Sequence, residues 1–483
     1  MTSSVHSSDL NSTADGANLT VNCSHITVTL SGDNSSVTVT GEHDQVTSAG
    51  DNAFLTLNGA HDRATVNGGD SFVVDGGRGD RTLLAGDNSG ARLTGCRDHV
   101  ESTGQGNTIF LAGRHNGAVV NGDNSSVVDT GTGNRTRLGG ANDSATLRGN
   151  FDRVLSSGAG NSVLLAGAHD RATVSGAGSF VAVTGTQDRV RLAGDNEAAR
   201  VLGSEDRVVS LGAGNSVLLD GTRDTAVVKG SNSSVVDSGT GDRIAMTGDN
   251  DSATVSGSDD EITSAGNANS IVLGGTHNVA TVCGDNTFVL DSGTGNRIVL
   301  DGDNANALLL GDHVTLKSTG AGTFINVVGT DSVLITDNAS IVLSDGVGAT
   351  LTGRGDTVTL GEGAHLTVSG DVKDTVHATQ TGFLFFAGKV AHDQFWFTRS
   401  NDDLVITEIG RDRGVTVADW YVSSANHVAE ITAGDGFSLN DGGVEALVQA
   451  MAALSPPPLG QTHLSHALET KLDPVLAANW QHA

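Results

Sequence analysis

The chain is poor in the residues from which most globular cores are assembled: of 483 residues only 4% are aromatic, and there are 4 prolines, 3 cysteines and 3 methionines. Scarce aromatics imply a narrow interior filled by aliphatic side chains, and scarce proline leaves strand ladders that nothing interrupts. Cys23, Cys96 and Cys283 are an odd number without motif spacing and indicate neither a disulfide framework nor a zinc site. They are expected to be small space-fillers. No apolar run reaches the roughly 18 residues of a membrane span, so none is expected. The opening segment MTSSVHSSDLNSTADG has neither a basic region nor an apolar run and does not read as a secretory signal peptide. Basic residues are also scarce, 27 Lys and Arg against 56 Asp and Glu, for a net charge of −29. That sign argues against a nucleic-acid partner and favours calcium or basic surfaces.

Glycine is abundant, and it is placed with a period. From Gly32 to Val328 the sequence divides into thirty-three nonapeptides reading roughly G-x-[NHG]-[DNS]-x-[VAI]-x-[VL]-x. Apolar positions six and eight, with mixed residues between them, give the alternation of a short strand with one buried face. Gly followed by Asn, Asp, Ser or Gly supplies a corner. One nonapeptide is therefore one strand and one corner.

Two periods compete for the number of strands per coil. Asp-Arg pairs such as Asp62-Arg63, Asp80-Arg81, Asp152-Arg153 and Asp170-Arg171 recur in every second nonapeptide and point to a coil of 18. Against that, a column of alanines (Ala64, Ala91, Ala118, Ala145, Ala172 and onward to Ala307) repeats every 27 residues. So do the polar residues at position eight: Ser48, Asp75, Ser102, Asp129, Ser156, Ser210, Asp237, Ser264, Asp291 and Ser318, broken by Val183. Interior packing demands like over like, whereas outward positions vary freely, which favours the inward period. The expected fold is all-β: a three-sided β-helix, or solenoid, of 27-residue coils, followed by a small α+β C-terminal domain. In that arrangement Asp would lie over Ser, Asn or Ala of the neighbouring coil, with its own Arg beside it, diluting like charge.

The expected organisation is a disordered stretch over 1–18, a solenoid over 19–370 with regular coils over 32–328, a further domain over 371–455 and a tail over 456–483. Phe383, Phe385, Phe386, Phe395, Trp396, Phe397, Trp420 and Tyr421 concentrate the large aromatics in the third of these, which implies a separate packed core. Asp441 to Leu454 reads as an amphipathic helix with Val444, Leu447, Val448 and Met451 on one face, closed by Pro456-Pro457-Pro458.

The run DQFWFTRSNDDLVITEIGRDRGVTVADWY (Asp393 to Tyr421), GVEALVQAMAAL (Gly443 to Leu454) and LDPVLAANWQ (Leu472 to Gln481) resembles the haemolysin-type calcium-binding-related domain at the C-termini of repeats-in-toxin proteins. The resemblance implies type I secretion through an uncleaved C-terminal signal, with the secretion machinery as a partner, and an extracellular, calcium-rich destination. It weakens in the repeats. Gly76-Gly77-Arg78-Gly79-Asp80-Arg81-Thr82-Leu83 comes closest to that family's calcium-binding nonapeptide but lacks its carboxylate arrangement.

Asp75, Asp129, Asp237 and Asp291 point inward just before a corner, and a buried charge must be hydrogen-bonded, paired or metal-bound. Corner N–H groups satisfy them on one reading; calcium does so on the other, making these four the candidate metal residues. His61, His115, His169 and His277 are expected as solvated corner residues about 10 Å apart, two strand spacings. Phe72, Val74, Val128, Leu155, Phe180, Val209, Val236, Phe288 and Leu290 read as an apolar stripe on one outer face, suited to self-association or to contact with a cell surface or polysaccharide. The expectation is a secreted, non-enzymatic surface, matrix or adhesin-like solenoid. The alternatives are a module that folds on calcium outside the cell and, less favoured, a carbohydrate-active β-helix enzyme, whose groove would need corner insertions that the repeats lack.

Overall fold

A computed structural model describes residues 2–5, by backbone alone, and 9–482. The chain divides into two units, Met1–Gly248 and Asp249–Ala483. In the first, nearly every nonapeptide forms a four-residue strand with buried residues at positions six and eight, as in Phe54–Leu57 and Thr108–Leu111. Leu55, Leu57, Ile109 and Leu111 are wholly buried, so the interior is a narrow layer of aliphatic side chains.

All the repeat strands pair in parallel, and the partner lies 18 residues away. Arg63–Val66 sits between Gln45–Ser48 and Arg81–Leu84, while Phe72–Asp75 sits between Phe54–Leu57 and Gly90–Leu93. Two strands make one coil, and two sheets face each other across the interior. This corrects the three-sided, 27-residue coil. Ala145 stacks between Val127 and Val163, and Ala172 between Val154 and Val190; the two alanines are not neighbours. Twenty-seven residues are one and a half coils, so the alanine and Ser/Asp columns alternate between the two sheets and return to the same sheet only every third coil.

Position three of the repeat carries the corner, in the left-handed region: His61 has φ 62°, Asn124 58° and Gly133 71°. Asn and Gly tolerate this region at least cost and are frequent there, but Arg97, Phe151, Gln187, Glu205 and Ala268 are held in it as well, so the stacked coils impose the corner on residues that do not favour it. The described part of the segment read as disordered enters the ladder: Leu10–Ser12 pairs with Thr27–Leu30, and Thr2–Val5 with Asn18–Val21. Met1 and residues 6–8 of that segment lie outside the described residues. Cys23 and Cys96 are half-buried and Cys283 is exposed, so none fills the core.

The second unit repeats the 18-residue pairing, for example Ser252–Val255 with Ser270–Leu273. The ladder does not stop near 370. Lys373–His377 pairs in parallel with Gly348–Leu360 and Gly414–Val417, and Phe383–Phe386 with His365–Val368 and Glu430–Thr432. An antiparallel hairpin, Phe395–Ser400 with Asp403–Glu408, closes over this end and buries Phe395, Trp396 and Phe397. Helix α1, Asp441–Ala452, is capped by the Asn440 side chain, which accepts from the Gly443 N–H at 2.9 Å, and buries Val444, Leu447, Val448 and Met451. Within the region read as a tail, helix α2, His466–Asn479, delivers Trp480 to Phe395 and Phe397, with ring centroids 6.2 and 6.3 Å apart.

Candidate cation site and outer faces

The two corners of the first unit differ in charge. At one, position four is Asp44, Asp62, Asp80 and Asp98, then Asn116 and Asn134, then aspartate again from Asp152 to Asp242 in 18-residue steps. Each side chain accepts the backbone N–H of the residue one coil earlier: Asp80 Oδ1 from Asp62 at 2.9 Å, Asp152 Oδ1 from Asn134 at 2.7 Å, Asp188 Oδ1 from Asp170 at 2.7 Å. At the other corner most of the equivalent residues are neutral, such as Ser71, Ser89, Asn107 and Ser125, with Asp143 and Glu197 as acidic members.

The expected dilution of Asp over Ser, Asn or Ala is therefore corrected. Aspartate stacks on aspartate, because a short carboxylate is the right length to close the corner N–H bond. Burial, offset by those N–H bonds, pushes Asp62, Asp152, Asp170, Asp188 and Asp224 up to about 7 and Asp98 and Asp206 up to about 6. Among the described residues no ion pair joins Asp62 to Arg63, Asp80 to Arg81, Asp152 to Arg153 or Asp170 to Arg171. The aspartate is buried and the arginine after it points outward.

The inward residue at position eight meets position four of the next repeat across the corner. Asp129 accepts from Gly131 N–H at 2.9 Å and Asn134 Nδ2 at 2.7 Å; Asp291, in the second unit, does the same with Gly293 at 2.9 Å and Asn296 at 2.8 Å. Ser102–Asn107, Ser156–Asn161 and Ser210–Asn215 are the neutral versions, at 2.8 to 2.9 Å. In both carboxylates, Asp129 and Asp291, Oδ1 takes two protein donors, while Oδ2 is buried and, among the described residues, without a hydrogen-bond partner. Asp75 is different: Gly77 N–H reaches its Oδ1 at 3.1 Å, yet the residue five places on is Asp80 and not asparagine.

Asp75, Asp80 and Asp98 bring one carboxylate oxygen each to within 4.8 Å of one another. All three residues are buried, and their Oδ2 atoms have no hydrogen-bond partner. Desolvation first, then the charges of Asp98 and Asp80, drive Asp75 far above the usual carboxylate range. Two such oxygens must share a proton or a cation, and a hard-oxygen cluster of this kind could hold a metal ion. Asp237 stands in the same relation to Asp242, raised by burial, with the Asp242 charge adding to it. All four residues read as metal candidates accept a corner Gly N–H; Asp129 and Asp291 add an Asn side-chain amide, whereas Asp75 and Asp237 face a second carboxylate. Asp80 and Asp98 were missed, although the signal was legible: an Asp-x4-Asp where other corners read Asp-x4-Asn or Ser-x4-Asn.

The apolar stripe is split. Phe72, Val74, Val128, Phe180 and Val236 lie on one sheet of the first unit, joined by Phe54 and Phe110, with Phe54 and Phe72 stacked at 6.2 Å. Phe288 and Leu290 lie together in the second unit. Leu155 and Val209 belong to the opposite sheet, among arginines, because coils of 18 place them in strands Arg153–Ser156 and Arg207–Ser210. The histidine spacing changes for the same reason. The corner position recurs every coil, so His43 stacks on His25 at 5.1 Å and lies tilted against His61 at 5.2 Å, and Phe151 stacks on His169 at 4.9 Å. No family model matches the chain.

Proposed function

We propose that the chain is an extracellular, non-enzymatic β-solenoid that presents its outer faces as binding surfaces on a cell surface or in a matrix. The observation that supports this most is that each sheet of the first unit carries one outward residue position through coil after coil, one sheet rich in arginine and the other in apolar side chains. A face of that kind offers a partner many equal contacts instead of one pocket. The C-terminal resemblance supports export by the type I route. Deleting the residues after Pro458 is expected to trap the protein in the cytoplasm of its source organism. Since that deletion also removes Trp480 from the aromatic cluster, residues 371–483 fused to an inert passenger provide the second arm, and the fusion is expected to be exported. Undiminished secretion of the truncation together with retention of the fusion would place the signal elsewhere.

A second reading, sensitivity to calcium outside the cell, is favoured by Asp75, Asp80 and Asp98. Strand ladders and an aliphatic interior hold without metal, so the expected calcium effect is modest: a rise of a few degrees in Tm for the intact protein. Asp80→Asn recreates the arrangement of Asp129 with Asn134, keeps an oxygen for the Asp62 N–H, and removes one of two apposed carboxylates. Calorimetry is expected to show a metal-free Tm above that of the parent protein and no further response to calcium. A calcium response that persists in Asp80→Asn would move the cation away from this cluster.

A further inference from the structure

In the first unit, five successive strands of one sheet, Arg135–Leu138, Arg153–Ser156, Arg171–Val174, Arg189–Leu192 and Arg207–Ser210, each begin with an exposed arginine in register with the next. Their side chains leave the sheet at the strand spacing of about 4.8 Å. Arg137 and Arg191 emerge on the same face two residues further along the first and fourth strands. None of the five strands contains an acidic residue, and among the described residues none of these seven arginines has a carboxylate partner.

Like charges directly opposite one another on a sheet are destabilising. Here five stand in a row, within a chain that has 29 more acidic than basic residues. The nearest aspartates in sequence do not relieve them, because Asp152, Asp170, Asp188 and Asp206 are buried with their Oδ1 atoms engaged by backbone N–H groups. A comb of unneutralised guanidinium groups calls for an anion from outside.

We infer that this face docks a linear acidic polysaccharide carrying one carboxylate per sugar ring, a polyuronate. A guanidinium group grips a carboxylate through two parallel N–H···O bonds. A pyranose chain repeats its carboxylates by roughly one ring length, comparable to the coil rise of about 4.8 Å. Beside the arginine column two shallow troughs meet at Thr173 and are lined by Leu155 and Val209, apolar surface suited to the C–H faces of sugar rings. Duplex nucleic acid, with about one charge per 1.7 Å of axis, matches neither that rise nor the net charge of the chain. The inference deepens the scaffold reading by naming the partner of one face.

The test uses the purified full-length protein and oligogalacturonate, titrated calorimetrically at low and moderate salt, with neutral dextran and a single-stranded DNA oligomer as comparators. Oligogalacturonate is expected to bind in a salt-sensitive manner, dextran not to bind, and DNA to bind more weakly. Combined Arg153→Thr, Arg171→Thr and Arg189→Thr substitution is expected to weaken oligogalacturonate about tenfold or more, while Tm stays level or rises as like-charge repulsion is removed. Should the triple variant melt lower, Arg171→Lys, which keeps the charge and loses the fork, is expected to weaken binding several-fold. No binding by the parent protein, binding indifferent to these substitutions, or tighter binding of DNA would each overturn the assignment. Binding by purified protein is independent of export, so a failure here leaves the scaffold reading to its own test.

Discussion

Lowering the pH from 8 to 5 is expected to raise the melting temperature of this protein, opposite to the usual acid sensitivity of a chain rich in carboxylates. Asp62, Asp98, Asp152, Asp170, Asp188, Asp206 and Asp224 are buried in one corner column and titrate at about 6 to 7 when folded, against an ordinary value of 3.8. A folded-state pKa raised above the unfolded one means that the native state holds more protons between the two values. Stability is then full below about pH 4 and is lost as the pH climbs through about 7. Allowing only about half a unit from each group once water reaches the corner, seven groups amount to about 5 kcal/mol at ~1.36 kcal/mol per unit. For a chain of 483 residues, whose unfolding entropy is about 1 kcal/mol/K, the corresponding rise in Tm is about 5 °C. Thermal melts followed by the strand signal in circular dichroism, at pH 5, 6.5 and 8 in constant salt, check this. A Tm that is flat or falls on acidification would show that the corner carboxylates stay charged and relaxed in the folded state.

The second large effect belongs to glycine at position one. A Cβ at Gly167 would run into the carbonyl oxygen of Gly149 one coil away and press on Asp170 Oδ2 at 2.9 Å, so neither neighbour can yield without breaking the corner. Gly167→Ala is expected to cost about 3 kcal/mol or more, the upper range of overpacking. Gly76 is the control. It lies at position nine, and its added Cβ would meet Asn58 Oδ1 at 3.4 Å, Thr94 Oγ1 at 3.6 Å and the Leu57 carbonyl oxygen at 4.0 Å, all ordinary contact. Gly76→Ala is expected to leave stability unchanged within about 0.5 kcal/mol. Equal effects from the two substitutions in urea melts would mean that glycine serves the repeat through chain flexibility and not through close approach of neighbouring coils.

The alternation of positions six and eight was enough to place almost every strand, because one buried face admits only that pattern. The corner was legible from Gly at position one and the small polar residue after it, but its left-handed residue is position three, where Arg97, Phe151, Gln187 and Glu205 blur the signal. The period was harder. Asp62-Arg63 and its relatives repeat at the true coil length, but like charges were taken to avoid each other, whereas the corner N–H groups of Asp62 and Asp170 make aspartate on aspartate the favourable stack. The alanine column misled because residues 27 apart, such as Ala145 and Ala172, lie on facing sheets. Asp75 was legible as a buried carboxylate; its partners were not, since Asp98 reaches it only through the coil-to-coil stacking of 18 residues. In the C-terminal region the face of helix α1 was read residue by residue. Helix α2 was not, because its interior Pro474 and weak apolar pattern argue against a helix that Leu472, Leu476 and the docking of Trp480 nonetheless secure.

Two unequal corners and two unequal faces also set how such a gene can grow. Duplicating or losing 18 codons within the regular coils returns every residue to its own sheet and its own corner, so arginine extends the arginine column and aspartate the aspartate column. Duplicating nine exchanges the sheets for everything downstream: Arg189 and Arg207 would emerge beside Phe180, and the buried aspartates would fall over Ser and Asn of the neutral corner. A single strand is the unit of the sequence pattern, but a whole coil is the smallest insertion that keeps each outward residue on its own sheet and each corner residue at its own corner.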